Sequence, residues 1–324
     1  MIAGGRLDLG DVGAEVAEHH RAVRAGERLR EVQDTDGGQW KWRRIGHSVD
    51  YRRSLIFKPK SASFRIHAAI GALAGLAAGL LGVGGGFLIV PLLTLWARTD
   101  QHRATGTSLA AILPIALVAA GTYYFGSGSP QTDLPVAASL VIGGTVGVVA
   151  GGLAAQKVSD RVLRGFVAIL LFVAGLKYAY DAGFGAIPTL HATAPAGLGI
   201  EEYVVLALCG LGIGVLGGLA GLGGGVFIVP LLVIGFGLSQ RIAQGTSLIA
   251  VIPTAAIGAI IHEANGEVDV RAAAVIAAAG VPAAIVGSLL ALVVPQPTLL
   301  GLFGAFLLFA AVRTWPWRRA TPKV

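Results

Sequence analysis

The residues in this chain with chemistry to offer are glycine amides and small hydroxyls, and they come in pairs. Gly84, Gly85 and Gly86 stand in the stretch Gly82-Val83-Gly84-Gly85-Gly86-Phe87-Leu88-Ile89-Val90-Pro91-Leu92-Leu93. Gly223, Gly224 and Gly225 stand in Gly221-Leu222-Gly223-Gly224-Gly225-Val226-Phe227-Ile228-Val229-Pro230-Leu231-Leu232. Thr107 and Ser108, within Gly-Thr-Ser-Leu, return as Thr246 and Ser247. Each pair is separated by 139 residues, and Pro91 and Pro114 recur as Pro230 and Pro253 at the same offset. A glycine cluster inside an apolar run breaks a helix, because each Gly costs about 1 kcal/mol relative to Ala. Proline removes a backbone donor and adds to the break or kink. The freed N–H groups at the start of the next half-helix carry partial positive charge and suit an anion. The hydroxyls can cap their own helices or donate to the same anion.

Two blander or competing readings stand beside this one. Glycines also allow close helix packing, and Gly71, Gly75 and Gly79, like Gly143, Gly147 and Gly151, read as packing residues. A phosphate loop is excluded: no Lys-Ser or Lys-Thr follows either cluster, and no strand–helix unit surrounds it. Ionisable residues are scarce in the apolar runs. Lys177 and His262, the latter beside Glu263, fall near run ends, where snorkelling is the default.

The elements that must position these groups are membrane helices. Hydrophobic residues make up 54% of the chain and charged residues 13%, about half the usual share. The mean hydropathy is +0.73. Charge-free runs cover 66–97, 104–132, 134–156, 203–240, 242–262 and 272–312, and such lengths read as spanning helices. Tyr123, Tyr124, Tyr178, Tyr180, Trp315 and Trp317 fall at run ends, where an interfacial aromatic belt is expected. The run 66–97 is about 48 Å long as one helix, against a hydrocarbon core of about 30 Å. Two half-helices meeting at Gly82–Gly86 resolve the mismatch, and 205–236 repeats the solution. Irregular backbone at membrane depth must face protein or a water-filled cavity. Broken helices at matching places in two repeats point to a transporter's binding site.

The expected fold is an all-α polytopic membrane protein. It has two homologous, inverted helical repeats, each beginning with a Gly-broken helix pair, and about 8–10 transmembrane segments. The divisions are a charged cytoplasmic N-terminal segment (1–65), repeat one (66–181), a linker (182–202), repeat two (203–317) and a tail (318–324). The inverted arrangement follows from charge. If 66–97 enters and returns, every loop of repeat one obeys the positive-inside rule, and both termini end on the cytoplasmic side. Arg241 on the outer side and the acidic stretch 263–269 on the inner side are the misfits, and eight single spans are the alternative. Residues 1–66 hold 13 of the 25 Lys and Arg, which suits a basic approach to anionic lipid better than nucleic-acid binding. The single Cys209 excludes an internal disulfide and a cysteine metal cluster.

With the doubled Gly-x-Gly-Gly-Gly-x-x-x-x-Pro-x-Leu motif and the following Gly-Thr-Ser-Leu in view, the chain resembles the TauE/SafE sulfite exporter family of membrane permeases. The resemblance covers about 66–313 and leaves 1–65 outside. It implies transport of sulfur-containing anions such as sulfite and sulfonates. Onto this sequence it carries Gly84, Gly85, Gly86, Pro91, Thr107 and Ser108, with Gly223, Gly224, Gly225, Pro230, Thr246 and Ser247.

The expected activity is a secondary transporter in the cytoplasmic membrane, without a cofactor or metal. Its expected partners are a small anionic substrate and the bilayer, and a homo-oligomer is compatible with the sequence. A passive anion channel is the alternative. A membrane-embedded enzyme would need clustered His, Asp, Glu or Cys at depth, and the runs carry no such cluster, so no catalytic residue is assigned. Because residues 1–60 lie outside the repeats, deleting them is expected to leave flux per inserted molecule within about twofold. Flux normalised to inserted protein in vesicles checks this.

Overall fold

The computed structural model describes residues 64–154, 160–183, 199–220 and 224–315. The N-terminal segment up to residue 63, linker residues 184–198, Gly223, Trp317 and the tail 318–324 lie outside the described residues. The regular structure described is helical: α1 (Phe64–Leu81), α2 (Gly86–Leu95), α3 (Gln101–Phe125), α4 (Leu134–Ala154), α5 (Asp160–Gly183), α6 (Ile200–Ala220), α7 (Gly225–Pro230), α8 (Gln240–Ala264), α9 (Val270–Val293) and α10 (Gln296–Thr314). A π turn, Leu231–Gly235, prolongs α7. Eight of these helices are long and apolar enough to cross a membrane, and α2 and α7 are the short ones. Large apolar side chains such as Leu117, Ile142, Phe172, Ile260 and Phe309 point outward, as a bilayer-facing surface requires.

The long run 66–97 is divided where the glycines predict. α1 ends at Leu81 and α2 starts at Gly86. The prolines do not interrupt their helices: Pro91, Pro114 and Pro253 lie inside α2, α3 and α8, and Pro230 is the last residue of α7. Tyr123 and Tyr178 depart from the expected aromatic belt, since both are fully buried. Tyr178 stacks against Phe303, with ring centroids 5.1 Å apart. Position at a run's end does not say which side of a helix faces the bundle. Tyr180 and Trp315 are exposed.

The two copies are interlocked. α1 lies along α9, the third long helix of the other copy, and α6 lies along α4. Both contacts are glycine-lined. A side chain at Gly71, Gly75 or Gly79 would strike the backbone of Ile276, Gly280 and Ala284 in turn. One at Gly143, Gly147 or Gly151 would strike Ala207, Leu211 and Val215. The numbers rise together, so each pair runs parallel. Equivalent helices meet in the opposite sense. Gly106 at the start of α3 approaches His262 at the end of α8, and Gly245 near the start of α8 approaches Tyr123 near the end of α3. α5 and α10 are likewise antiparallel, with Gly175 against Leu308 and Gly304 against Tyr178.

These approaches make a simple contrast. Gly75→Val is expected to lower stability by about 1–3 kcal/mol or more, because backbone cannot yield to the new side chain. Gly121→Ala, with nothing within 4 Å of the added carbon, should leave stability unchanged or slightly raised. Melting temperatures of the two variants in one detergent check the difference.

Candidate functional site

At the first break the chain turns through Gly82 (φ 72°), Gly84 (φ 76°) and Gly85 (φ 81°), and at the second through Gly224 (φ 77°). Left-handed backbone costs an L-residue about 1–2 kcal/mol, which glycine avoids. The two breaks abut. A carbon added at Gly225 would lie 2.7 Å from the carbonyl oxygen of Val83 and 2.9 Å from Val251. One added at Gly84 would lie 3.0 Å from Val251 and 3.6 Å from Ile112. Ile112 and Val251 are themselves equivalents, 139 residues apart and midway along α3 and α8. The candidate residues Gly84, Gly85, Gly86, Gly224 and Gly225 are therefore brought together between the crossing helices, and all are buried.

The starts of α2 and α7 are bare. Their N-caps, Gly85 and Gly224, offer no side chain. Neighbouring helices are treated differently: Asp100 accepts from His102 N at 3.1 Å, Ser239 from Ile242 N at 3.4 Å, and Asp269 from Ala272 N at 3.0 Å. First-turn amides have no intrahelical partner. At α2 and α7 the third of them turns back to the N-cap carbonyl, Leu88 N to Gly85 O and Phe227 N to Gly224 O, both at 3.0 Å, and no side chain caps those before it.

The hydroxyl pairs divide their roles. Thr107 Oγ1 accepts the backbone N–H of Asp269 at 2.9 Å, and Thr246 Oγ1 accepts that of Asp133 at 2.9 Å. Asp269 and Asp133 in turn receive Ala272 N and Val136 N on their carboxylates, so each threonine steadies a helix start in the opposite repeat. Of the serines, Ser247 turns to the second break and donates to the carbonyl of Gly225 at 3.4 Å. The Ser108 hydroxyl is buried without a partner.

Other polar groups close the surrounding helix ends. Tyr123 donates to Gly79 O at 2.8 Å and to Gln244 Oε1 at 2.9 Å, and Gln244 Nε2 donates to Leu80 O at 3.1 Å. Sequence reasoning passed over Tyr123 as a belt residue. The signal that could have found both is a mismatch between repeats, since Tyr123 corresponds to His262 and Gln244 to Thr105. Arg241 donates to Ala291 O (3.1 Å) and Val294 O (2.8 Å), capping the end of α9. His262 pairs with Glu267 at 2.6 Å rather than with its neighbour Glu263, and Lys177 pairs with Asp181 one turn on.

The threonine geometry yields an expectation. Replacing both Thr107 and Thr246 by Val strands two backbone donors, each worth about 1–3 kcal/mol when left unpaired. The double variant should melt lower while its apparent affinity for a transported anion stays within about twofold. A tenfold loss of affinity with unchanged melting would place the threonine hydroxyls on the substrate instead.

The family described as sulfite exporter TauE/SafE matches residues 39–178 and 206–323. A probable membrane transporter protein of Bacillus subtilis, YdhB, is 28% identical over 200 residues, 61% of this chain and 78% of that protein. A second from the same organism, YunE, is 26% identical over 224 residues, 64% of this chain and 81% of its own. The probable membrane transporter protein MJ0441 of Methanocaldococcus jannaschii is 26% identical over 202 residues, 59% of this chain and 69% of that protein. No solved structure matches. The motif, the paired breaks and the extent of the match agree: this chain belongs to the TauE/SafE sulfite exporter family and is a multi-pass membrane transporter.

Proposed function

We propose that the protein is a secondary transporter that carries sulfur-containing anions, sulfite and sulfonates among them, across the cytoplasmic membrane. The observation that carries the reading is the abutment of two uncapped half-helix starts, buried together between α3 and α8. The runs that supply the breaks and the hydroxyl pairs contain no Lys or Arg. An anion there is held by amide dipoles and neutral donors such as Ser108 and Ser247. The matching family name supports sulfite as the substrate to try first.

The antiparallel meeting of equivalent helices supports an inverted arrangement in the membrane, with each α1–α2 or α6–α7 pair entering and returning. Each repeat then has odd parity, so both termini lie on one face. The basic tail residues Arg318, Arg319 and Lys323 favour the cytoplasmic one. With Gly84, Gly85, Gly86, Gly224, Gly225, Thr107, Ser108, Thr246 and Ser247 all buried, the described conformation is a closed one, and transport proceeds by opening the junction to one side at a time. The coupling needs no catalytic step, so the protein acts as a carrier and not as an enzyme.

The test is counterflow of labelled sulfite in proteoliposomes, with and without an imposed potential. Saturable counterflow is expected, and flux without saturation would favour a channel. Gly85→Leu and Gly224→Leu should each abolish flux, because a side chain enters a left-handed, crowded turn, while monodisperse insertion is retained. Wild-type flux in either variant would remove that glycine from the site.

A further inference from the structure

We propose that Tyr123 and Gln244 are positioning residues that fix the first break, so that α7 with its π turn, Gly225–Gly235, is the part that moves during transport. This rests on the reading of the breaks as the transport site. The last carbonyls of α1 have no helical partner, and lipid supplies none. Gly79 O takes the Tyr123 hydroxyl and Leu80 O takes the Gln244 amide. The amide has one sensible orientation, since reversing it would set its oxygen against the Leu80 carbonyl. Gln244 Oε1 then shares the single phenolic proton of Tyr123 with Gly79 O. Both side chains are fully buried. At Gly82 an added carbon would lie 2.5 Å from Gln244 Cα, so the turn rests directly on α8. Tyr123 comes from repeat one and Gln244 from repeat two. The clamp therefore ties the first break to both crossing helices.

The second repeat carries other side chains at these two places. The residues equivalent to Tyr123 and Gln244 are His262 and Thr105. The His262 ring is turned to Glu267, and a threonine has no amide to give. Space differs as well. Ile115 presses on Gly280, 2.5 Å from a carbon added there, whereas its equivalent Thr254 stands 3.5 Å from one added at Gly144, the equivalent of Gly280. A small cavity remains on this side, lined by Gly144, Gly214, Gly224, Ile228 and Thr254 among others. The stems differ too. α2 runs as α-helix through Pro91 to Leu95, while α7 passes after Pro230 into the π turn Leu231–Gly235, an irregularity frequent at functional sites. A clamp on one break, and room with an irregular stem at the other, divide a symmetric backbone into a fixed half and a moving half.

Amide hydrogen exchange of the full chain in lipid tests this without any substrate. Amides of 224–235 should exchange at least about tenfold faster than those of 84–95. Gln244→Leu and the milder Tyr123→Phe should each raise exchange around 82–88 by about tenfold, the usual scale for one buried hydrogen bond. Equal exchange at the two breaks in the unaltered protein, or no change in either variant, overturns the proposal. Sulfite flux adds a second readout. Gln244→Leu should raise KM about tenfold with Vmax per molecule held. Thr254→Ile, which fills the cavity as Ile115 does in the other half, should lower Vmax with KM held. A clamp that served folding alone would change the yield of inserted protein and neither constant. If sulfite is not carried at all, the substrate reading fails, and the exchange comparison still decides the clamp.

Discussion

A backbone that leaves its helix inside a bilayer exposes polar groups that lipid cannot satisfy. That constraint governs this molecule. Both breaks are enclosed by setting them against each other between α3 and α8, with Gly225 close to Val83. Enclosure requires the helices carrying the breaks to approach their neighbours closely, and the glycine rows on α1 and α4 permit it. The carbonyls released at the end of α1 are taken up by Tyr123 and Gln244, and those at the end of α9 by Arg241. The N-caps of α2 and α7 are glycines that offer no capping side chain, as Pro295 offers none to α10. What the fold leaves uncapped is what a negatively charged solute can use.

Much of this was legible in the sequence because it is written as local pattern. The apolar runs place the long helices, and the glycine clusters place the breaks to within a residue or so. Helix propensity and left-handed φ are properties of a few adjacent residues. The prolines were less informative: Pro114 and Pro253 sit inside continuous helices, where neighbouring helices and small backbone adjustments can absorb the missing donor. The hydroxyl pairs were visible as a motif, but their roles were not. Thr107 meets Asp269 across 162 residues and Thr246 meets Asp133 across 113, and neither aspartate is marked by local sequence. Arg241 looked misplaced by charge alone. Its guanidinium is explained by the carbonyls it caps, which belong to a helix 50 residues on.

The repeat also hides as much as it reveals. Internal similarity directs attention to what the copies share, namely backbone geometry and the Gly-Thr-Ser-Leu start of α3 and α8. Residues that differ at equivalent places then look like drift. Two of the differences sit where the first break is held, Tyr123 against His262 and Gln244 against Thr105, and a third, Ile115 against Thr254, sits where α3 and α8 meet the glycines of α9 and α4. Two equivalent half-helices can present similar dipoles to one anion while being held with different strength. Under the two proposals, symmetry sets the binding geometry and its violation sets which part can give way.

A site made of dipoles has a consequence for the driving force under the proposed function. The broken runs add no fixed positive charge to neutralise the solute, so a bound anion carries its own charge through the membrane field. Outward movement from a cell that is negative inside is then favoured by about 2.3 kcal/mol per charge per 100 mV. Inward movement opposes the same term and would require a coupled cation. Beside Tyr123 and Gln244, the candidate groups at the breaks are glycines and hydroxyls, and none of them is a carboxylate that could hold one. His262 and Glu267 stand at the end of α8, paired with each other. Under the proposed function, movement outward along the potential therefore needs no coupled cation at the junction.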